Sequence, residues 1–322
     1  MCVISVIIPS YNSGVYLTKC LNSCLEQTFE DFEIIVVDDG SIDETRSLLK
    51  AYMLKDKRIR YIYKKNEGLV CARRTGLEHS KGTFIFFIDA DDYIERNALQ
   101  LLYEKSQGCD ITIGNILIEN TDGKLYPLQH KNVLLYDISF ENMVCNYLSK
   151  SVIPSLCGRL IRKTLFDKVY VPAEFTIGED VITNLLILLK VHTVKFKLVD
   201  EKLYHYVQYS ESMMNMKSEK TLCKRLDFLK WIDVNISVIE NTNIRECLAK
   251  FISIELYAFL RDGGNFNMNS SYGKLLYDKY VSLNALKRIS IWHAALIVSF
   301  RYCAPVGKLF RSSLIFIRSI IN

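Results

Sequence analysis

The first ninety residues alternate four times between a short apolar run and a segment with helical periodicity. The apolar runs are rich in Val, Ile and Phe, and they have the length of strands that are buried on both faces. Strands that alternate with helices in this way predict parallel βαβ units. We therefore expect an α/β fold with a Rossmann-like, mostly parallel, doubly wound sheet. Its predicted strands span residues 3–9, 32–37, 59–63 and 84–88.

Acidic residues directly follow two of these strands. The second strand ends in Asp38 and Asp39, and the fourth ends in Asp89, Asp91 and Asp92. Open α/β sheets place their ligands at the carboxyl ends of the strands. Asp89 and Asp91 share a face if the strand continues, and Asp92 comes within reach if the chain turns. Carboxylates this close repel one another unless a cation lies between them, and Mg²⁺ and Mn²⁺ prefer such oxygen ligands. Taken alone, such a cluster is more often a solvated strand end with a helix cap.

The turn after the first strand does not support the dinucleotide-binding version of this architecture. It has the sequence Pro9-Ser10-Tyr11-Asn12 and lacks the G-x-G-x-x-G pattern of dinucleotide-binding folds. The acids instead indicate a nucleotide that is held through its base, its ribose and a metal ion.

The pattern changes after residue 92. Asp122-Gly123 predicts a hairpin turn, and strands are predicted at 110–114 and 203–207. Helices are predicted at 97–105, 140–150 and 181–190, and the chain is mostly helical from about residue 221. We therefore expect a catalytic domain over residues 1–215 and a helical C-terminal extension over residues 216–322.

Composition narrows the class of protein. The net charge of +5 gives no reason to expect nucleic acid as a partner. The ten cysteines are scattered without a C-x-x-C pair, which favours reduced thiols in a cytoplasmic protein. The sequence starts directly with a strand, so we expect no signal peptide, and no stretch has the length of a membrane span.

The charged side chains of the C-terminal segment are all basic. Residues 279–322 contain seven Lys and Arg residues and no Asp or Glu, and Trp, Phe, Leu and Ile residues lie between them. This pattern is typical of a helix that lies in an anionic membrane interface, although a helical cap packed on the rest of the protein has the same composition. We expect a peripheral location on the cytoplasmic face of the inner membrane.

Four motifs together resemble glycosyltransferase family 2, in particular its bacterial capsule, exopolysaccharide and lipopolysaccharide branch. Each motif is weak alone, but their order and spacing are specific, and the resemblance covers about residues 1–215. It implies the GT-A fold and transfer of a sugar from a nucleotide donor with inversion of the anomeric centre. The motifs are Ser5-Val6-Ile7-Ile8-Pro9-Ser10-Tyr11-Asn12, Val37-Asp38-Asp39-Gly40-Ser41, Asp89-Ala90-Asp91-Asp92 and Gly178-Glu179-Asp180.

The resemblance implies a donor site at the ends of the strands. Asp39 matches the acid that accepts a hydrogen bond from the imide N–H of a uracil-type base. Asp89 matches a position near the ribose. Residues 66–76 resemble the family's N-x-G-x-x-x-A-R-N-x-G stretch, although Arg74 stands where the family has Asn. The donor-binding residues implied in this way are Pro9, Tyr11, Asn12, Asp39, Arg73 and Asp89.

The resemblance also implies how the reaction is catalysed. Asp91 matches the ligand of an Mn²⁺ or Mg²⁺ ion, which stabilises the negative charge on the diphosphate leaving group. Asp180 matches the base that removes a proton from the acceptor hydroxyl, and Glu179 precedes it in the first turn of a helix. His205 is a candidate third ligand or acceptor contact. Simpler interpretations are an acidic helix start for Glu179 and Asp180, and a packed or surface histidine for His205.

These observations predict a metal-dependent, inverting glycosyltransferase with a UDP-linked donor and a glycan or polyprenyl-linked acceptor. A nucleotidyltransferase also binds nucleotide and metal on such a sheet, but it normally needs a Gly- and Lys/Arg-rich loop after the first strand. A carbohydrate- or membrane-binding scaffold on a transferase fold is the other alternative, and the intact acids argue against it.

Overall fold

The computed structural model describes residues 2–128, 130, 139–191, 193–209, 218–264, 272–281, 291–302, 307–308 and 311–312. In chain order, the helices and strands are β1 (Ile4–Ser10), α1 (Gly14–Leu25), β2 (Phe32–Asp38), α2 (Thr45–Lys55), β3 (Ile59–Tyr63), α3 (Leu69–His79), β4 (Phe84–Phe87), β5 (Tyr93–Ile94), α4 (Ala98–Lys105), β6 (Ile111–Glu119), β7 (Leu125–Leu128), α5 (Phe140–Leu148), β8 (Arg159–Arg162), α6 (Glu179–Lys190), β9 (Phe196–Val207), α7 (Glu219–Ile236), α8 (Thr242–Arg261), α9 (Tyr272–Tyr280) and α10 (Ile291–Tyr302).

The strands of the described residues form one nine-stranded sheet in the order β3-β2-β1-β4-β8-β6-β9-β5, with β7 paired to β6. Strands β1 to β4 are parallel, as the alternation of apolar runs and helices predicts. Every residue of β1, β2 and β4 is buried, which is the pattern of strands covered on both faces. The predicted α/β fold with a helical C-terminal region is confirmed.

The other half of the sheet is mixed in direction. Strand β8 runs antiparallel to both β4 and β6, whereas β6 and β9 are parallel. Strand β9 begins at Phe196, seven residues before the predicted strand 203–207. Residues 200–202 are exposed and charged, so the apolar pattern does not predict a strand there. The pairing with β6 shifts its register at this point, from Gly114 with Val199 to Asn115 with Lys202.

A close approach of α3 to β1 shapes the first half of the sheet. A Cβ atom added at Gly76 would lie 2.3 Å from Cγ2 of Ile7, so any larger residue would push the helix away from the strand. Ala72, one turn earlier, packs with Ile35 and Val37 of β2. The small residues of α3 therefore hold Arg73 close to the sheet.

The chain packs into two compact units. The first unit comprises residues 1–140 and 151–212 and contains the sheet, and the second comprises residues 141–150 and 213–322 and is helical. Most of α5 thus belongs to the second unit. The assignment of catalytic and C-terminal domains to residues 1–215 and 216–322 stays a prediction.

Much of the basic C-terminal segment, including Lys287, Arg288 and Arg318, lies outside the described residues. Within the part of the chain that is described, no helix is both long enough and apolar enough to cross a membrane. The nine cysteines in that part are all free thiols.

Candidate active site

The predicted motifs meet at one edge of the sheet, because β2, β1 and β4 are neighbours and run in the same direction. Pro9 lies within β1 and is buried, whereas Tyr11 is 51% exposed just beyond the strand. The backbone N–H of Asn12 donates to Oγ of Ser41 at 2.9 Å, and its side-chain oxygen accepts from the N–H of Ile42 at 2.9 Å. The loops after β1 and β2 are thus joined by hydrogen bonds.

The two acids at the end of β2 have different partners. Asp38 is fully buried and accepts from the N–H of Ser41 and the hydroxyl of Tyr61, at 2.8 and 2.9 Å. This pattern gives Asp38 a structural role.

Asp39 is 3% exposed, and its carboxylate binds the loop before α3. It accepts from the ammonium of Lys64 at 2.9 Å and from the N–H of Gly68 at 2.7 Å. The N–H of Glu67 also donates to it, at 3.0 Å. An imide N–H of a nucleobase would be a further donor to this carboxylate, so the predicted base contact of Asp39 stays a prediction.

The acids after β4 also differ from one another. Asp92 is 1% exposed; it accepts from the hydroxyl of Tyr204 and, at 2.9 Å, from the N–H of Val207. Burial and the charges of Asp89 and Asp91 raise the pKa of Asp92 well above its usual value. Asp92 faces β9, and hydrogen bonds to both of its oxygens favour a structural role for this acid over metal binding.

Asp91 is the acid that fits a metal ion. No described cation forms an ion pair with it, and burial together with the charge of Asp89 raises its pKa to about 6. A divalent cation would stabilise such a carboxylate, and Mg²⁺ usually takes only one or two carboxylates plus phosphate oxygens. Among the described residues, no group of three His, Cys, Asp or Glu side chains forms a complete metal site. Water and phosphate oxygens are the usual further ligands of such an ion.

Asp180 lies in the first turn of α6, as predicted. The preceding Gly178 has φ of +74°, a left-handed conformation that favours glycine, and this turn starts the helix. Oδ1 of Asp180 accepts from Nη1 of Arg73 at 2.6 Å, and Oδ2 accepts from the N–H of Leu156 at 3.2 Å. Nη2 of Arg73 donates to Asp89 at 3.0 Å. One guanidinium therefore bridges the end of β4 and the start of α6.

Glu179 is adjacent but differently placed. Its carboxylate lies 3.6 Å from Nη1 of Arg73. Burial and the charge of Asp180 nevertheless raise the pKa of Glu179 to about 7, against the opposing effect of Arg73. Glu179 thus changes its charge close to neutral pH.

His205 is held by structural contacts. It is 4% exposed, its ring stacks on Tyr93 with centroids 4.1 Å apart, and its Nε2 lies 2.7 Å from Oε1 of Glu95. Side chains alternate along a strand, so His205 points away from the face on which Tyr204 contacts Asp92. These contacts favour the packed histidine over a metal ligand.

Two tyrosines that belong to none of the four motifs also lie at the site. The hydroxyl of Tyr204 accepts from the N–H of Asp89 at 3.2 Å while it donates to Asp92. Tyr209 packs against Tyr16 with ring centroids 4.3 Å apart, and burial, together with the charge of Asp91, raises its pKa to about 12. Tyr204 lies in the predicted aromatic strand, which is the one signal that could have indicated it.

Comparison with known proteins identifies the class. Residues 5–170, just over half of the chain, match glycosyl transferase family 2. The chain therefore belongs to this family and is a glycosyltransferase.

Individual relatives support the same class. The glycosyltransferase GlyG of Streptococcus pneumoniae serotype 4 is 27% identical over 265 residues, which cover 78% of this chain and 86% of GlyG. The glycosyltransferase GlyA of the same organism is 33% identical over 235 residues, 70% of this chain but only 33% of GlyA. The crystal structure of S. aureus TarS 1-349 in complex with UDP-GlcNAc is similar with a TM-score of 0.71 and 20% identity, over 98% of this chain and 92% of that one. This last similarity supports the GT-A-like fold.

Proposed function

We propose that this glycosyltransferase transfers a sugar from a nucleotide-sugar donor to a hydroxyl of a glycan or a polyprenyl-linked glycan, with inversion at the anomeric carbon. The observation that carries the proposal is the ion cluster at the sheet edge. Asp180 and Arg73 are 107 residues apart in the chain, yet their side chains are 2.6 Å apart beside Asp89. A carboxylate thus lies next to the strand end at which this architecture binds its ligands.

Asp180 is the proposed general base. Its carboxylate lies 2.6 Å from Arg73, and we assign to it the acceptance of the proton of the acceptor hydroxyl as that oxygen attacks the sugar. A single displacement of this kind inverts the anomeric centre, as in the inverting reactions of glycoside chemistry.

Asp91 is the proposed ligand of Mn²⁺ or Mg²⁺. When bound, this ion would supply Lewis-acid stabilisation of the charge that develops on the leaving diphosphate. The raised pKa of Asp91 supports the assignment, because a nearby cation would relieve the unfavourable ionisation of this partly buried carboxyl.

A uridine diphosphate sugar is the first candidate donor. TarS, which has a similar fold, was crystallised with UDP-GlcNAc and with UDP. A more distant structure with a TM-score of 0.51 and 17% identity is a Pyrobaculum calidifontis mannosyltransferase in complex with GDP-Man and Mn²⁺. Guanosine donors are therefore the alternative that the experiment must include.

The basic C-terminal segment supports a location at a membrane surface. Its seven cations and absence of acids suit anionic lipid, and an acceptor carried on a polyprenyl chain would lie at the same surface. We propose that the protein binds peripherally to the cytoplasmic face of the inner membrane.

The proposal is tested by incubating the full chain and Mn²⁺ with UDP-GlcNAc, UDP-glucose, UDP-galactose and GDP-mannose. We expect release of a nucleoside diphosphate from one of these donors. Release of pyrophosphate would instead indicate a nucleotidyltransferase, and no donor binding would indicate a scaffold. The anomeric configuration of the product, measured by NMR, distinguishes inversion from retention.

The base is tested with the same assay. Asp180→Asn keeps the shape of the side chain but removes its basicity, so turnover should fall by about 10²- to 10⁴-fold while the donor Kd is nearly unchanged. Asp167→Asn is the matched control, since Asp167 is an exposed acid of the same unit. Equal activity of the two variants would contradict the assignment of the base.

A further inference from the structure

The guanidinium of Arg73 is bound to carboxylates of the protein, whereas an arginine that binds a donor phosphate would have free N–H groups. Arg73 is 5% exposed, although arginine is almost never buried without partners. Nη1 donates to Asp180 at 2.6 Å, Nη2 donates to Asp89 at 3.0 Å, and Nη1 also lies 3.6 Å from Glu179. Both terminal nitrogens of the guanidinium are therefore engaged with carboxylates of the protein itself.

The charges explain why this cation stays in place. Burial disfavours the charged form of Arg73, but the carboxylates of Asp180 and Asp89 outweigh burial and raise its pKa well above the usual value. Removing one partner from a buried ion pair is strongly destabilising, because it leaves an uncompensated charge. Without Arg73, the carboxylates of Asp89, Glu179 and Asp180 would face one another without their shared cation.

The orientation of Asp180 depends on two donors. Arg73 binds Oδ1, and the N–H of Leu156 binds Oδ2 at 3.2 Å, so each oxygen of this carboxylate is held from one side. Leu156 precedes β8 and Arg73 belongs to α3, and neither lies in the helix that carries Asp180. The direction of the carboxylate is thus fixed by elements outside its own helix.

We propose that Arg73 is a positioning residue that orients the base Asp180 and joins it to Asp89 at the donor-binding end of β4. This inference rests on the proposed function, and it replaces donor binding as the role of Arg73. A guanidinium is required because it presents two N–H groups in a fixed fork to two carboxylates, whereas the ammonium of lysine is a single point charge.

The test compares Arg73→Gln and Arg73→Lys with wild type, using the donor that turns over and Mn²⁺. We expect kcat to fall by about 10²-fold in Arg73→Gln, the loss that misplacement of a catalytic group by about 1 Å can cause. Arg73→Lys should retain more activity, since it keeps the charge but reaches only one carboxylate. The donor KM and the Kd of the nucleoside diphosphate should change by less than about threefold in both variants.

Arg74→Gln is the matched control on the same helix. Arg74 donates to the carbonyl of Val171 at 2.6 Å and stacks on Tyr170, and no contact with the acids of the site is described for it. Its substitution should leave kcat unchanged. An equal loss of kcat in Arg73→Gln and Arg74→Gln would show a general effect on α3 and would overturn the inference.

Thermal unfolding of the variants tests the inference without measuring turnover. If Arg73 holds Asp180, the loss of Tm in the double variant Arg73→Gln/Asp180→Asn should be smaller than the sum of the two single losses. Additive losses would overturn the inference, as would a raised donor KM with an unchanged kcat in Arg73→Gln, which would indicate donor binding. Turnover in wild type together with a wild-type kcat in Arg73→Gln contradicts this inference alone, whereas no turnover in wild type contradicts the proposed function.

Discussion

At the scale of single residues, the acids of the site have two kinds of environment. Some accept hydrogen bonds from other residues of the protein, and others remain available to a ligand. Asp38 and Asp92 are buried and their oxygens accept hydrogen bonds from tyrosine hydroxyls and backbone N–H groups. Among the described residues, no cation forms an ion pair with Asp91, and burial together with the charge of Asp89 raises its pKa. Neighbouring acids in one motif therefore have different roles because different strands lie beside them.

This separation predicts opposite effects for two neighbouring alanine substitutions. Asp91→Ala should abolish the increase in nucleoside diphosphate affinity on adding Mn²⁺, with little change in Tm. Asp92→Ala should leave the hydroxyl of Tyr204 and the N–H of Val207 without partners and lower the free energy of unfolding by about 3 kcal/mol. Calorimetric titration with and without Mn²⁺, together with denaturant melts, checks both. A metal-dependent affinity that survives in Asp91→Ala would exclude Asp91 as the ligand.

Glu179 predicts a pH dependence of stability. Its pKa is about 7 in the folded chain and near 4.5 when unfolded, so between these values the unfolded state binds fewer protons. Stability from this residue is therefore full below about pH 4.5, falls as the pH rises towards 7 and is constant above it. The loss is on the order of 3 kcal/mol.

Glu179→Gln removes this titration and should be more stable than wild type at pH 8 but not at pH 4.5. Exposed Glu174, five residues earlier, provides the control substitution Glu174→Gln. Denaturant melts at both pH values measure the effect. A constant difference between Glu179→Gln and wild type across this range would show that Glu179 does not titrate near neutral pH.

At the scale of the elements, a buried acid joins the amino-terminal halves of the parallel strands. Glu33 of β2 accepts from the hydroxyl of Ser5 in β1 at 2.7 Å, from Arg60 in β3 at 2.8 Å and from the N–H of Lys81 before β4 at 2.7 Å. Burial opposes the ionisation of Glu33, but these hydrogen bonds outweigh it and lower its pKa. The carboxylate thus connects three strands and the entry to a fourth at their amino-terminal halves, whereas Asp39 and Asp91 follow the carboxyl ends of β2 and β4.

Glu33→Gln should therefore lower the free energy of unfolding at pH 7 by about 1 to 3 kcal/mol without changing turnover below the unfolding temperature. The lowered pKa means that the stabilisation is present above the unfolded value near 4.5 and is lost as the pH falls through the folded value. The difference from wild type should therefore shrink below pH 4. Exposed Glu30 offers the control Glu30→Gln, and equal melts of the two variants would contradict the structural role of Glu33.

At the scale of the whole molecule, the chain combines a unit that contains the sheet with a helical unit. In the helical unit, Asp233 of α7 accepts from Tyr272 at 2.7 Å and from Lys279 at 2.6 Å, both of α9, and it also accepts from Tyr280. Arg311 donates to the carbonyl of Leu260 at 2.9 Å, near the end of α8. Arg311 is thus partly engaged within the unit, so a test of the basic segment must use other cations.

The basic segment predicts binding to anionic lipid. Replacing Lys287, Arg288 and Arg318 by Glu should release the protein from vesicles that contain anionic lipid, because each cation near such a surface contributes about 1 kcal/mol. The control exchanges exposed Lys57, Lys105 and Lys168, all in the other unit, for Glu. Co-sedimentation at low salt measures binding. A wild-type protein that stays in the supernatant would show that the segment does not bind membranes.

The sequence by itself determined the kind and order of the elements in the first ninety residues, because apolar runs and helical periodicity are local signals. It also determined that acids follow β2 and β4, and parallel strands then bring those acids to one edge. The four motifs were sufficient to indicate the family, which residues 5–170 confirm.

Only the tertiary structure decided which of these acids have hydrogen-bond or ion-pair partners within the protein and which do not. The partners of Asp38, Asp92 and Asp180 come from β3, β9 and α3, which are distant in sequence. The antiparallel position of β8 and the early start of β9 depend on pairing with β6 in the same way. The charge, burial and hydrogen bonding of a side chain depend on its neighbours in space, and a local sequence pattern does not indicate which residues those neighbours are.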